Sequence, residues 1–217
     1  MPEHNARSQW TLGISDSEFT QRYPRKGLIT KMEVRVIALA RMDVREDSVV
    51  WDIGSGSGAV SIEAARLASR GRVYSVEKNR TDIRNIKKNI KKFGASNVEV
   101  VFAFAPEGLD ALPDPDAVFI GGSSGRLKAI IELACARLKA DGKLVMNAAS
   151  LDNLAVAKQA LDGMGWHREI TIVQIARSRE LDDLLRFESL NPVFIVSAHR
   201  PEAKRHAEEQ GDKRRAR

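Results

Sequence analysis

Between Val49 and Glu63 the chain reads Val-Val-Trp-Asp-Ile-Gly-Ser-Gly-Ser-Gly-Ala-Val-Ser-Ile-Glu, an apolar run that stops at three alternating glycines and resumes in helical rhythm. A sequence of this kind folds as a strand, a tight backbone turn and the start of a helix. Gly54, Gly56 and Gly58 let the main chain take positive φ and approach a ligand closely, and the first helical turn offers its unpaired N–H groups to that ligand. The expected ligand is nucleotide-like.

The spacing narrows the choice. Dinucleotide-binding folds use G-x-G-x-x-G, whereas this loop is G-x-G-x-G with an acid, Asp52, two residues before the first glycine. A second strand, Arg72 to Glu77, ends in another acid 23 residues after Gly54, placed to hold a ribose diol through both carboxylate oxygens. The order of acid, glycine loop, helix, strand and Glu77 resembles class I S-adenosylmethionine-dependent methyltransferases. That resemblance implies S-adenosylmethionine as cofactor, bound by Gly54, Ser55, Gly56, Ser57, Gly58 and Glu77.

Composition removes several other classes. The 217 residues suffice for one substantial core. No run approaches the ~18 apolar residues of a membrane span, and the first residues, Met1 to Arg7, lack an apolar signal region, so a cytoplasmic protein is expected. Cys135 is the single cysteine and sits in an apolar helical pattern, as a small buried hydrophobe does. His4, His167, His199 and His206 show no metal-ligand spacing, and no metal is expected. The net charge of +6 invites a nucleic-acid reading, but His199 to Arg217 carries a surplus of three and residues 1 to 31 a surplus of two, which leaves about one positive charge for Met32 to Ala198. No nucleic-acid partner is expected.

The periodicity predicts a Rossmann-like α/β domain, a seven-stranded, mostly parallel sheet with an antiparallel edge, over residues 30–200. Residues 1–29 read as a loose arm with Gly13, Pro24 and Gly27 as breakers, and 201–217 as a polar basic tail, disordered or a solvated helix. Thr30 to Glu33 has the form of a capping box opening the first helix, with Thr30 also near the cofactor. Further helices are expected over Ala59 to Ala68, Thr81 to Phe93, Arg126 to Leu138 and Asn153 to Met164. The remaining parallel strands are Val98 to Phe104, Ala117 to Ile120 and Lys143 to Ala148. Glu169 to Ala176 and Val193 to Ala198 form the antiparallel edge, around a polar, arginine-bearing insertion. Ligands of such sheets lie beyond the carboxyl ends of the strands, which selects the glycine loop, Glu77, Ala103 to Glu107, Gly121 to Gly125 and Asn147 to Ser150. The Asn/Asp-Pro-Pro-aromatic stretch usual in methyltransferases of nucleobase amines is absent from the end of the fourth strand.

Five segments in order extend the resemblance: Gly27 to Arg35, Trp51 to Gly58, Phe104 to Leu109, Phe119 to Ser123 and Asn191 to Val193. Together they are similar to the cobalamin-biosynthesis methyltransferases that act on precorrin-6B, stand-alone or as the C-terminal domain of precorrin-6Y C5,C15-methyltransferases. The similarity covers residues 12 to 200. It implies methylation of C15 with decarboxylation of the C12 acetate, a tetrapyrrole substrate, free or cobalt-bearing, and a homo-oligomer such as a tetramer. It also adds Thr30 and Ala105 to the cofactor residues. A polycarboxylate substrate makes Gly121, Gly122, Ser123, Asn147, Arg126, Arg177 and Arg179, with Arg186, candidates for substrate contact; no catalytic residue is singled out. The rival readings are an RNA methyltransferase and a non-catalytic escort that binds a tetrapyrrole or the cofactor.

Overall fold

The computed structural model describes residues 12–22, 29–181 and 184–201. The remainder of the expected arm, including Pro24 and Gly27, and all but Pro201 of the expected tail lie outside them.

Among the described residues nine strands and five α-helices follow in the order α1 Met32–Arg41, β1 Val49–Ile53, α2 Ala59–Leu67, β2 Arg72–Glu77, α3 Arg80–Phe93, β3 Val98–Phe102 and β4 Ala117–Ile120. Then come α4 Leu127–Arg137, β5 Lys143–Ala148, α5 Leu151–Gly163, β6 His167–Val173, β7 Ala176–Leu181, β8 Leu184–Ser189 and β9 Val193–His199. Seven strands make one sheet in the order β3-β2-β1-β4-β5-β9-β6. The strand order reverses beside β1, and there the crevice for a ligand opens.

Buried β-branched and aromatic side chains fix this sheet. The central strands β1 and β4 are almost wholly buried because helices cover both faces. Trp51, Ile53, Val118 and Ile120 pack under α4 and α5, and Val50, Phe119 and Val145 under α1 and α2. Strand β9 is antiparallel to both β5 and β6. The antiparallel member therefore lies one place in from the edge, and the edge strand is β6. Helix α3 is closed at both ends by its sequence: the Asn79 carboxamide accepts from Thr81 and Asp82 N–H, and Gly94 at φ 66 turns the chain out.

Three expectations need correction. Residues 12–22 are not loose, for Ile14 and Phe19 are buried in the core and a polar network ties them down. The Glu63 carboxylate accepts from Gly13 N–H at 3.2 Å, Ile14 N–H at 2.9 Å and Arg35 Nε at 2.9 Å. Arg35 in turn donates to Asp16, to the Thr30 carbonyl at 2.6 Å and to the Ile14 carbonyl.

Second, no capping box forms at Thr30. The N-cap is Lys31 without a side-chain cap bond, because Glu33 is taken by Arg177, whose Nε and Nη2 donate at 3.0 and 2.6 Å. A bidentate charge-assisted pair outcompetes a neutral N–H.

Third, the insertion is an ordered hairpin, β7 paired with β8, that forms its own two-stranded sheet. Arg177, Arg179 and Arg186 stand on its strands. Smaller differences are that β3 ends at Phe102 and that α5, capped by Ser150, begins at Leu151, two residues ahead of its expected start.

Candidate active site

The glycine loop leaves β1 at Ile53 and enters α2 at Ala59. Gly54, Gly56 and Gly58 all have positive φ, between 57° and 75°. At Gly54 a side chain is also excluded by contact, since a Cβ there would sit 2.6 Å from the Gly122 nitrogen. Two loops at the ends of β1 and β4 thus touch through glycines, and Gly121 N–H donates to Ile53 O at 2.9 Å. The loop is pinned from the other side as well. Gly54 N–H donates to Val76 O at 2.9 Å, and Asn89, buried on α3, donates to Ser57 O at 2.9 Å.

Glu77 ends β2 beside this loop. Its Oε2 accepts from Gly56 N–H at 3.0 Å, and its Oε1 from Lys78 and Asn79 N–H at 2.9 and 2.8 Å. A carboxylate offers about four acceptor positions. Three are taken, and Oε2 is the freer oxygen, so the expected grip through both oxygens is not matched.

Between the loop and the start of α1 lies a cleft of about 490 Å³. Its walls include Thr30, Gly54, Ser55, Ser57, Gly121 and Asn147 from the residues expected in the sequence. They also include residues that sequence reasoning had not assigned to a site: Lys31, Val34, Asp52, Asn153 and Asn191. The signal for Asp52 was present in the acid-glycine motif itself. Its side chain is fully buried, with Oδ2 accepting from the Ser61 hydroxyl and Oδ1 without a hydrogen-bond partner among the described residues. Asn147 Oδ1 is likewise buried and unpartnered.

In the register of β1, β4 and β5, Asp52 lies across from Phe119 and Val145, so Asn147 shares its face. The two orphaned acceptors line the cleft with Phe119 between their strands. Burial pushes the Asp52 carboxyl up to about 7; the Ser61 hydrogen bond opposes the shift and the Glu77 charge adds to it. An acceptor pair of this kind suits a cationic or N–H-donating ligand.

Other candidates stand elsewhere. Ala105 is buried at the end of β3, and Gly122 packs on Gly54. Ser123 O accepts from Arg126 N–H at the entry to α4. None of the expected arginines lines the cleft: Arg126 pairs with Glu107, Arg177 with Glu33 and Asp16, and Arg179 with Glu188. Short acidic partners lie within reach of each, and a neighbouring carboxylate satisfies a guanidinium without a ligand. Cys135 is buried on α4, and burial pushes its thiol up to about 12. Among the described residues no cluster of His, Cys, Asp and Glu could hold a metal, and no helix is long and apolar enough to cross a membrane.

The family model described as the precorrin methyltransferase domain matches residues 21–200. The chain belongs to that family. A methyltransferase of this family from Pyrobaculum calidifontis, named probable cobalt-precorrin-6B C(15)-methyltransferase (decarboxylating), is 37% identical over 192 residues, 87% of this chain and 96% of its own. A precorrin-6Y C5,15-methyltransferase from Geobacter metallireducens superposes with a TM-score of 0.83 at 46% identity, covering 88% of this chain and 97% of that one. A structure named precorrin 8W decarboxylase from Methanobacterium thermoautotrophicum gives 0.79 at 33% identity, over 85% and 98%. The precorrin methyltransferase fold thus carries both methylation and decarboxylation in the names of its members.

Proposed function

We propose that this precorrin methyltransferase uses S-adenosylmethionine to methylate C15 of precorrin-6B, or of its cobalt form, and releases the C12 acetate carboxyl as carbon dioxide. The observation that carries the reading is the cleft between Thr30, the glycine loop and Asn147, with its two buried orphaned acceptors. The cofactor fits that acceptor pair. Its methionine part bears an ammonium and a sulfonium, which Asp52 and Asn147 would face, and Glu77 Oε2 would accept from a ribose hydroxyl. Thr30 and Ala105 complete the cofactor residues, with Gly121, Gly122 and Ser123 on the substrate side.

When bound, the cofactor supplies an electrophilic methyl group. The protein's part is positioning. The glycine loop fixes the cofactor end because its backbone is held by Val76, Glu77 and Asn89. Once ionised, Asp52 places negative charge at a buried point, where water screens it little. The new C15–carbon bond would take its pair from the conjugated ring of the substrate, as the methyl–sulfur pair stays with sulfur. In decarboxylation the acetate C–C bond breaks, its pair moves into the ring system, and the former methylene takes up a proton. Lys31, half-buried at the cleft wall, is placed to meet a substrate carboxylate.

A homo-oligomer, of which a tetramer is the expected form, belongs to the same reading. The hairpin β7–β8 exposes Leu184, Leu185 and Phe187 at 55 to 71%, and an isolated two-stranded hairpin is marginal in water. A second copy would cover it. A cytoplasmic enzyme is the matching location. The reaction is tested by mass spectrometry of the purified protein with S-adenosylmethionine and a C5-methylated precorrin-6 intermediate, beside a Gly56→Arg control. A product heavier by one methyl and lighter by one carbon dioxide supports the reading. No mass change despite cofactor binding, with the metal-free intermediate and with its cobalt form alike, would contradict it.

A further inference from the structure

At the opposite end of the sheet from the glycine loop lies a second cavity, of about 520 Å³, lined by Arg41, Lys143, His167, Glu169, Ser197 and His199 among others. Lys143 opens β5 and lies about 17 Å along that strand from its carboxyl end. The cavity is therefore separate from the cleft.

Strand register builds it. His167 is directly opposite His199, and the β5–β9 pairing of Leu144 with Ala198 continues to place Lys143 beside His199. Three basic side chains from three neighbouring strands thus stand in one row on one face. The next row on that face holds Ser197 and Glu169. Glu169 is the acid of the pocket, and it is engaged by Arg41 through two hydrogen bonds of 2.9 and 2.6 Å. Lys143 has no hydrogen-bond or ion-pair partner among the described residues. The two imidazole rings lie 5.5 Å apart.

We propose that this row is a binding site for a small phosphate-type oxyanion. The donor set is Lys143 Nζ, the Ser197 hydroxyl and the outer edge of the Arg41 guanidinium. The His199 ring supplies one acceptor, because its Nδ1 lies 2.8 Å from the Arg200 carbonyl and so carries the proton, which leaves Nε2 with its lone pair. Hydrogen phosphate accepts on its oxyanions and donates through its one hydroxyl, which matches donors arranged around one acceptor. A bare divalent cation is a poor match to a row that contains Lys143 and faces Arg41.

The test is calorimetric titration of inorganic phosphate into the full chain, with sodium chloride at matched ionic strength as reference. The expected result is saturable binding that weakens by about tenfold in Lys143→Met and in His199→Gln, the loss of one charge-assisted hydrogen bond. Lys143→Arg should retain it, and Lys128→Met on the exposed face of α4 should not change it. Affinity for S-adenosylmethionine should be unaltered in all four variants, which separates this site from the cleft. Heats no larger than those of chloride, or a Lys143→Met chain that binds phosphate as tightly as the unaltered one, would overturn the proposal.

Discussion

Glu63 and Asp52 are both fully buried carboxylates, one on α2 and one at the end of β1, on either side of the same glycine loop. Their surroundings differ in saturation. Glu63 receives two backbone N–H groups and the Arg35 guanidinium, and Arg35 is itself covered by Asp16, two carbonyls and the ring of Phe19, 5.1 Å away. Asp52 receives one hydroxyl and leaves its other oxygen buried and unpartnered beside the cleft that the residue lines. Burial alone thus says little about function. A closed network is built to hold the fold, whereas an open buried acceptor is held by the fold for something else.

The largest effect expected from this contrast is on stability. Glu63→Ala leaves the buried Arg35 with Asp16 as its one remaining carboxylate partner and frees Gly13 and Ile14 N–H from α2, and should cost about 3 kcal/mol in urea unfolding. A loss below about 1 kcal/mol, the range of exposed pairs, would place Glu63 outside any structural network.

Asp52 should behave in the opposite sense. Its folded carboxyl is raised, so ionisation works against the fold. The penalty is absent below the ordinary value near pH 4, grows as pH rises, and is complete above about 7. Asp52→Asn should therefore gain on the unaltered chain across that window by on the order of 4 kcal/mol. Unfolding midpoints for the two chains measured across pH would show diverging curves; parallel curves would remove the contrast.

Between these lies Glu77, which is partly saturated. Glu77→Ala removes the remaining acceptor for the ribose and the anchor of Gly56, and cofactor affinity should fall by about ten- to a hundredfold. Unchanged affinity in calorimetry would take Glu77 out of the site. The smallest effect is expected at Arg177, saturated by Glu33 and Asp16 but at the surface. Arg177→Ala should change stability by less than about 1 kcal/mol, and a large fall in substrate affinity would restore it as a substrate contact.

The parts of the molecule that could be read in the sequence are those whose pattern is local. The acid-glycine loop and the end of α3 before Gly94 each carry their geometry in a few adjacent residues, and the structure places them as read. What escaped the sequence depends on partners far along the chain. Arg35 and Glu63 are 28 residues apart, and Glu33 and Arg177 are 144 apart. Thr30 and Glu33 show the conflict directly: the short motif predicts a cap, and a distant arginine removes half of it. The row of Lys143, His199 and His167 is invisible for the same reason, since only strand register brings it together.

The central claim, that the open acceptor at Asp52 marks the cofactor cleft, is tested most directly by titrating S-adenosylmethionine into the unaltered chain and Asp52→Asn at about pH 5 and about pH 8. The variant controls for titration of the cofactor itself. The unaltered chain should gain affinity over the variant as pH rises, because the carboxylate then faces a cationic ligand. An affinity ratio that does not change with pH would contradict the claim.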